Sequence, residues 1–116
     1  MMAVSTTAKN MMIDALLQGS QIYISLHTAD PVTAGSNEVS GGSYSRAAAS
    51  FPAASNGQSS NSASVVWTDL PPTTITHCGW WRGSTFLFGA PLTQARTLSA
   101  GDGFFFRPNT LLVQVP

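Results

Sequence analysis

The chain has 116 residues, enough for one domain with a single hydrophobic core. Its apolar share of 43% is that of a globular protein, but Asp, Glu, Lys and Arg make up only 9%, against about 25% in an average soluble domain. Five basic groups balance five acidic ones, so no net field draws the chain to nucleic acid or to an anionic membrane.

Solubility must come from hydroxyls, with 15 serines and 12 threonines. A surface so poor in charge is weakly protected against self-association and suits a protein packed against copies of itself or against neighbours. A small domain of a secreted protein is the alternative that composition leaves open. Cys78 is the single cysteine, which excludes an intrachain disulfide and a cysteine-based zinc site. The N-terminus lacks a secretory pattern, because Lys9 lies inside the first apolar stretch and no run of about 7–15 apolar residues follows. Nothing approaches the ~20 apolar residues of a membrane span. None of Asn10, Asn37, Asn56, Asn61 and Asn109 has Ser or Thr two positions on. The expectation is a soluble chain made in a cytoplasm.

Residues 5–18, STTAKNMMIDALLQ, are the one helical candidate. Ala8, Met11, Met12, Ala15 and Leu16 recur at helical spacing as the expected apolar stripe, with Thr6 or Thr7 as cap and Gly19 just past the end. A helix of about three turns is marginal alone, so the stripe is expected to pack on the chain's own sheet, with another subunit as the alternative. From residue 21 the period changes to two, and QIYISLH (21–27) puts Ile22, Ile24 and Leu26 on one face. A long polar loop follows, then YSRAAASF (44–51), a weaker strand. PAASNGQSSNS (52–62) reads as a long hairpin connection turning at Asn56-Gly57. SASVVW (62–67), TTITHCGWW (73–81), STFLFGA (84–90), QARTLS (94–99), GFFFR (103–107) and TLLVQV (110–115) follow, separated by glycine and proline turn signals. About eight short strands without interleaved helices predict an all-β fold, an antiparallel β-sandwich of jelly-roll type with one short N-terminal helix. The whole chain, 1–116, reads as a single domain, with its helix at 5–18 and strands from 21 onward.

His27, Asp30 and Glu38 are the side chains from which a metal site, or a base with its orienter, could be built. No HExxH or DxDxDG spacing accompanies them, and Asp30-Pro31 is a turn opener, so a structural turn is expected. A small hydrolase built on His27 and Asp30 is the remotest alternative. His77 and Cys78 are adjacent on a strand and point to opposite faces, which leaves Cys78 as a buried, inert thiol. Glu38 and Arg46 are the natural ion pair of the loop, either pinning it against the sheet or each reaching a neighbouring subunit. Gly41-Gly42 supplies positive φ at the loop's end. GxSxG, P-loop and paired-carboxylate patterns are absent, so no catalytic, cofactor-binding or metal residue is assigned and no enzyme is expected.

The aromatics Trp67, Trp80, Trp81 and Phe104-Phe105-Phe106 cannot all face one core. If Phe104 and Phe106 point inward, Phe105 points out, and Trp80 and Trp81 split likewise. Outward rings suit a subunit interface. A sugar-stacking platform is the alternative, whereas nucleic acid would call for more Lys and Arg around the rings. Met11, Met12, Glu38, Arg46, Trp80, Trp81 and Phe105 are therefore the candidate interface residues.

The stretch IYISLHTADPVTAGSNEVSGGSYSRAA, residues 22–48, resembles a family of small bacteriophage virion proteins of the tail fibre or minor tail protein type. Members share a segment close to SLHTADPG-TG-NEVSGG-YAR after a short helix. THCGWW, where that family tends to have T-THFG-W, matches more loosely, as do TFLFGAPLT, the AGD turn and the final apolar strand. Val32 stands where glycine is common. The resemblance implies a compact β-sandwich serving as a repeated virion component of the tail, tail fibre, collar or adjacent assembly, made in the host bacterial cytoplasm. Its implied partners are copies of itself and other phage structural proteins, with no cofactor, nucleic acid or membrane. A capsid decoration protein, trimeric at a lattice junction, is the alternative within that class. A carbohydrate-binding module touching host-surface glycan through Trp80 or Trp81 is the alternative outside it. The loop from Ser25 to Arg46 is expected to cross from one sheet to the other.

Overall fold

A computed structural model, describing residues 3–115, gives one helix followed by eight strands. In chain order these are α1 (Thr6–Leu17), β1 (Ile22–His27), β2 (Ala47–Ala49), β3 (Gln58–Ser59), β4 (Val65–Trp67), β5 (Thr73–Arg82), β6 (Thr85–Leu98), β7 (Phe104–Phe106) and β8 (Val113–Gln114). The largest sheet is antiparallel and ordered β2-β1-β5-β6. Two antiparallel ribbons, β3-β8 and β4-β7, complete the β-structure, so the fold is all-β and sandwich-like, with a second layer divided in two. One core joins them. Ile22, Ile24 and Leu26 of β1 cluster with Ala49, Cys78 and Trp80 of the same sheet, with Val65 and Trp67 of β4, with Val113 of β8, and with Ile13 and Leu17 of α1.

Several strands differ from their sequence-based bounds for physical reasons. The two segments expected at 84–90 and 94–99 merge into one strand, β6 (Thr85–Leu98), because a strand at the sheet's edge accommodates Pro91. The chain bulges there instead: Ile75 pairs with Arg96 but His77 with Pro91. The two-residue β3 was not anticipated. Asn56 and Gly57 do make a tight turn, with φ of 55° and 74° and reciprocal backbone bonds of 2.9 and 3.1 Å between Ser55 and Gln58. The strands on either side of 52–62, however, pair with other partners, β2 with β1 and β4 with β7. That segment, rather than the loop after β1, carries the chain out of the four-stranded sheet. The loop from Thr28 to Arg46 joins β1 to its own neighbour, whose Ala47–Ala49 lie opposite Ile24–Ile22.

The helix is present but turned from its expected orientation. Ser5, not a threonine, caps it, its Oγ accepting from Ala8 N–H at 3.1 Å. Ile13 and Leu17 are buried, while Met11, Met12 and Leu16 of the expected stripe are exposed. Two polar side chains set the rotation. Gly57 N–H donates to Asn10 Oδ1 and Ala54 N–H to Asp14 Oδ1, both at 2.8 Å, which holds the Asn10–Ile13–Asp14–Leu17 face against the 54–57 turn. A further polar staple lies in the core. Asn61 is fully buried and uses its whole side chain, donating to the carbonyls of Ala63 and Arg107 and accepting from the N–H groups of Thr110 and Leu111.

This rotation has a measurable consequence. Ile13→Ala is expected to lower stability by about 2–4 kcal/mol, and Met12→Ser to change it by less than about 0.5 kcal/mol. Urea unfolding followed by tryptophan fluorescence checks this, and equal losses would restore the stripe that periodicity alone suggests.

Candidate functional site

The polar residues of the loop gather on the back of the sheet, the face turned away from the main core. Ser25 and His27 alternate with Ile24 and Leu26 on β1, yet all four are buried. Room for them comes from two glycines paired in register, Gly79 of β5 and Gly89 of β6. A Cβ on Gly79 would lie 2.6 Å from Ser25 Oγ and 3.0 Å from His27 Nε2, and one on Gly89 would collide with the Pro31 ring. The missing side chains form a trough in which the loop lies. Pro31 fills the end over Gly89, and Gly35, with φ of 74°, rests against the Trp81 indole, where any Cβ would clash.

A chain of hydrogen bonds runs through this trough. Trp81 Nε1–H donates to Ser25 Oγ at 2.8 Å, Ser25 Oγ lies 2.6 Å from His27 Nε2, and His27 Nδ1 lies 2.7 Å from the Ser36 carbonyl. A carbonyl only accepts, so the imidazole proton sits on Nδ1 and the serine hydroxyl donates to Nε2. Every group is satisfied with the ring neutral. Burial lowers the His27 pKa from its usual value, outweighing the Ser36 carbonyl and the Glu38 carboxylate, which pull the other way. The Ser25–His27 distance is that of a nucleophile and its base, but both residues are fully buried and no substrate reaches them.

The loop is closed by a second network. Arg46 grips Glu38 through Nε–H and Nη2–H, each at 3.0 Å, and its guanidinium carbon lies 3.4 Å from the Trp81 ring centroid. Tyr44 O–H donates to Glu38 at 2.7 Å and accepts from Leu26 N–H at 3.0 Å, serving a part of β1 that lies beyond its pairing with β2. Burial by itself would raise the Glu38 carboxyl, but bonds from Arg46 and Tyr44 and the guanidinium charge hold it below the usual range. Burial, followed by the bond to Glu38, pushes the Tyr44 hydroxyl up. At the loop's start Asp30 Oδ1 accepts from Val32 N–H at 2.8 Å, the expected turn, and Gly41 and Gly42 have φ of 103° and 55° near its end. Val32 has φ of 58° and is exposed, a strained conformation for a β-branched residue and the reason glycine suits this position.

The sequence-derived site residues therefore separate. His27, Asp30 and Glu38 are spent on different partners, and among the described residues no cluster of three His, Cys, Asp or Glu side chains is placed to share a metal ion. Cys78 faces the core, where burial pushes its thiol up to about 12. Glu38 and Arg46 pair with each other. Trp80 and Trp81 do point to opposite faces, but they are only 3% and 6% exposed. Neither stands out from the surface as an anchor or a sugar platform, because Trp80 stacks on Phe88 in the core and Trp81 lies under the loop. Phe105 does face outward, beside Val66. Ser25 and the Gly79–Gly89 pair were missed; glycines within two strand patterns were the available signal.

Such an arrangement, with polar groups matched to one another beneath a braced loop, holds the β-sandwich together. The family described as podophage GP4 fiber I protein gp80 matches residues 3–114, and the chain belongs to that family. It is thus a phage fibre structural protein. No curated protein matches the chain.

Acid should weaken the fold in two stages. His27 in the folded chain binds its proton less readily than in the unfolded chain, so stability is complete above about 6.5 and is lost as pH falls from there toward the folded value. The Glu38 contribution is lost below about 4.5 by the same reasoning for a depressed carboxylate. Unfolding midpoints from pH 8 to 3, with NMR titration of the His27 ring, check the order. Two glycine substitutions test the trough: Gly79→Ala should cost about 1–3 kcal/mol through overpacking, and Val32→Gly should stabilise by relieving backbone strain. Thermal unfolding measures both.

Proposed function

We propose that the chain is a non-enzymatic building element of the phage fibre apparatus that works as an oligomer, copies meeting through the outer face of α1 and the C-terminal segment. The observation that carries this reading is an apolar surface around one recess. Met11, Met12, Leu16 and Leu112 are between 38% and 68% exposed. Beside them a recess of about 360 Å³ is lined by Met12, Leu16, Trp80, Phe88, Leu112 and Val115, with no charged side chain in its wall. Contiguous apolar surface of this kind marks a contact site, and a chain with so few charges has little else to keep copies apart. The buried Trp80 indole N–H has no acceptor among the described residues. Phe105 and Val66, cross-strand partners that are 55% and 56% exposed, offer a second, smaller contact toward other virion proteins.

Sedimentation velocity of the purified chain beside a Met11→Asp/Leu16→Asp variant tests the oligomer. The unmodified chain should sediment as a closed oligomer and the variant as a monomer that keeps the far-UV circular dichroism of the folded chain. A monomeric unmodified chain at micromolar concentration would remove the proposal. Antibody-gold labelling of intact particles locates the protein, and label on the head shell would favour a decoration role instead.

A further inference from the structure

A different surface lies where the second layer of the sandwich stops short of β6. There a cleft of about 470 Å³ is walled by five consecutive residues, Gly103 to Arg107, and floored by Leu92, Thr93, Gln94, Arg96 and Leu98 of β6. Five consecutive residues in one wall mean that the backbone of β7, and not one of its faces alone, borders the cleft. β7 has a hydrogen-bonded neighbour on one side only, β4, so its other edge is free among the described residues. The cleft is thus a slot beside an open strand edge, above a half-apolar floor.

Its charge is one-sided. Each of the five acidic side chains accepts a hydrogen bond inside the chain: Asp14 from Ala54, Asp30 from Val32, Glu38 from Arg46, Asp69 from Ser43 and Asp102 from Ser99. Arg96 and Arg107 are exposed and have no carboxylate partner among the described residues, where Arg46–Glu38 is the one salt bridge. No acidic residue lines the cleft.

We propose that this slot receives an extended, acidic segment of another protein, which adds as a strand to β7. Its backbone would bond to the free edge of Phe104–Phe106, its alternate apolar side chains would rest on Leu92 and Leu98, and its carboxylates would meet Arg96 and Arg107. Main-chain donors and acceptors, directed to that edge by alternate residues of Phe104–Phe106, favour a peptide over an anionic polysaccharide. The slot shares Phe105 with the smaller contact proposed above but no residue with the recess beside α1, so this inference stands or falls apart from the oligomer contact.

The test uses the full chain and a fluorescein-labelled peptide of alternating valine and glutamate, with binding followed by fluorescence anisotropy and amide exchange by NMR. The expected result is saturable binding with slowed exchange at residues 104–106. Arg96→Gln/Arg107→Gln, two exposed substitutions, should weaken it roughly tenfold. A valine–lysine peptide should not bind. Polygalacturonate serves as the competing anionic polymer. Its binding with the same arginine dependence, while the 104–106 amides exchange as before, would overturn the peptide reading in favour of a glycan. Absence of peptide binding, or binding indifferent to the arginine changes, would overturn it outright.

Discussion

The pairing of β1 with β5 is the contact on which the rest of the molecule depends, because it is covered on both faces. A strand with one wet face may carry any polar residue there, but one buried on both sides must match each donor with an acceptor. β1 meets that demand with Ser25 and His27, whose hydrogen bonds run from the Trp81 indole to the Ser36 carbonyl. The loop that supplies the carbonyl also supplies the cover. The glycine pair on β5 and β6 exists to admit it, and Arg46 and Tyr44 close it over Trp81 and the end of β1. Leaving one such buried group unmatched would cost about 1–3 kcal/mol, a large part of the net stability of a small domain.

Scarcity of charge gives the same picture for the whole chain. With only five acidic side chains, the molecule uses all of them as hydrogen-bond acceptors that hold turns and loops. Arg46 is committed to the loop and Arg82 to the carbonyl of Ala15 near the end of α1. Apart from the exposed Arg96 and Arg107, the rest of the surface is mostly hydroxyl, amide and apolar, with little charge to oppose self-association.

The two surfaces left open differ in kind. The recess beside α1 is apolar and uncharged, a setting for hydrophobic contact between copies. The slot beside β7 combines a free strand edge with two arginines, a setting for directional bonding to an extended chain. On the proposed readings, the first surface joins copies of the chain and the second holds a different partner.

Much of the local structure was legible in the residues themselves. The Asp30-Pro31 turn, the Asn56-Gly57 turn, the apolar alternation of Ile22, Ile24 and Leu26, the pairing of Glu38 with Arg46 and the inward Cys78 all follow from short-range geometry and chemistry. Other features depended on segments distant in the chain. Periodicity could not tell Met11, Met12 and Leu16 from Ile13 and Leu17, because Asn10 and Asp14 choose the helix face by bonding to the 54–57 turn. Alternation placed Trp80 and Trp81 on opposite faces but could not say that both faces are covered, since the cover over Trp81 is a loop nearly half the chain away. The sequence by itself determined most of the strands and turns, though not β3 or the continuity of β6, because those are properties of neighbouring residues. Only the tertiary structure decided which faces see water, because burial is a relation between segments that meet after folding.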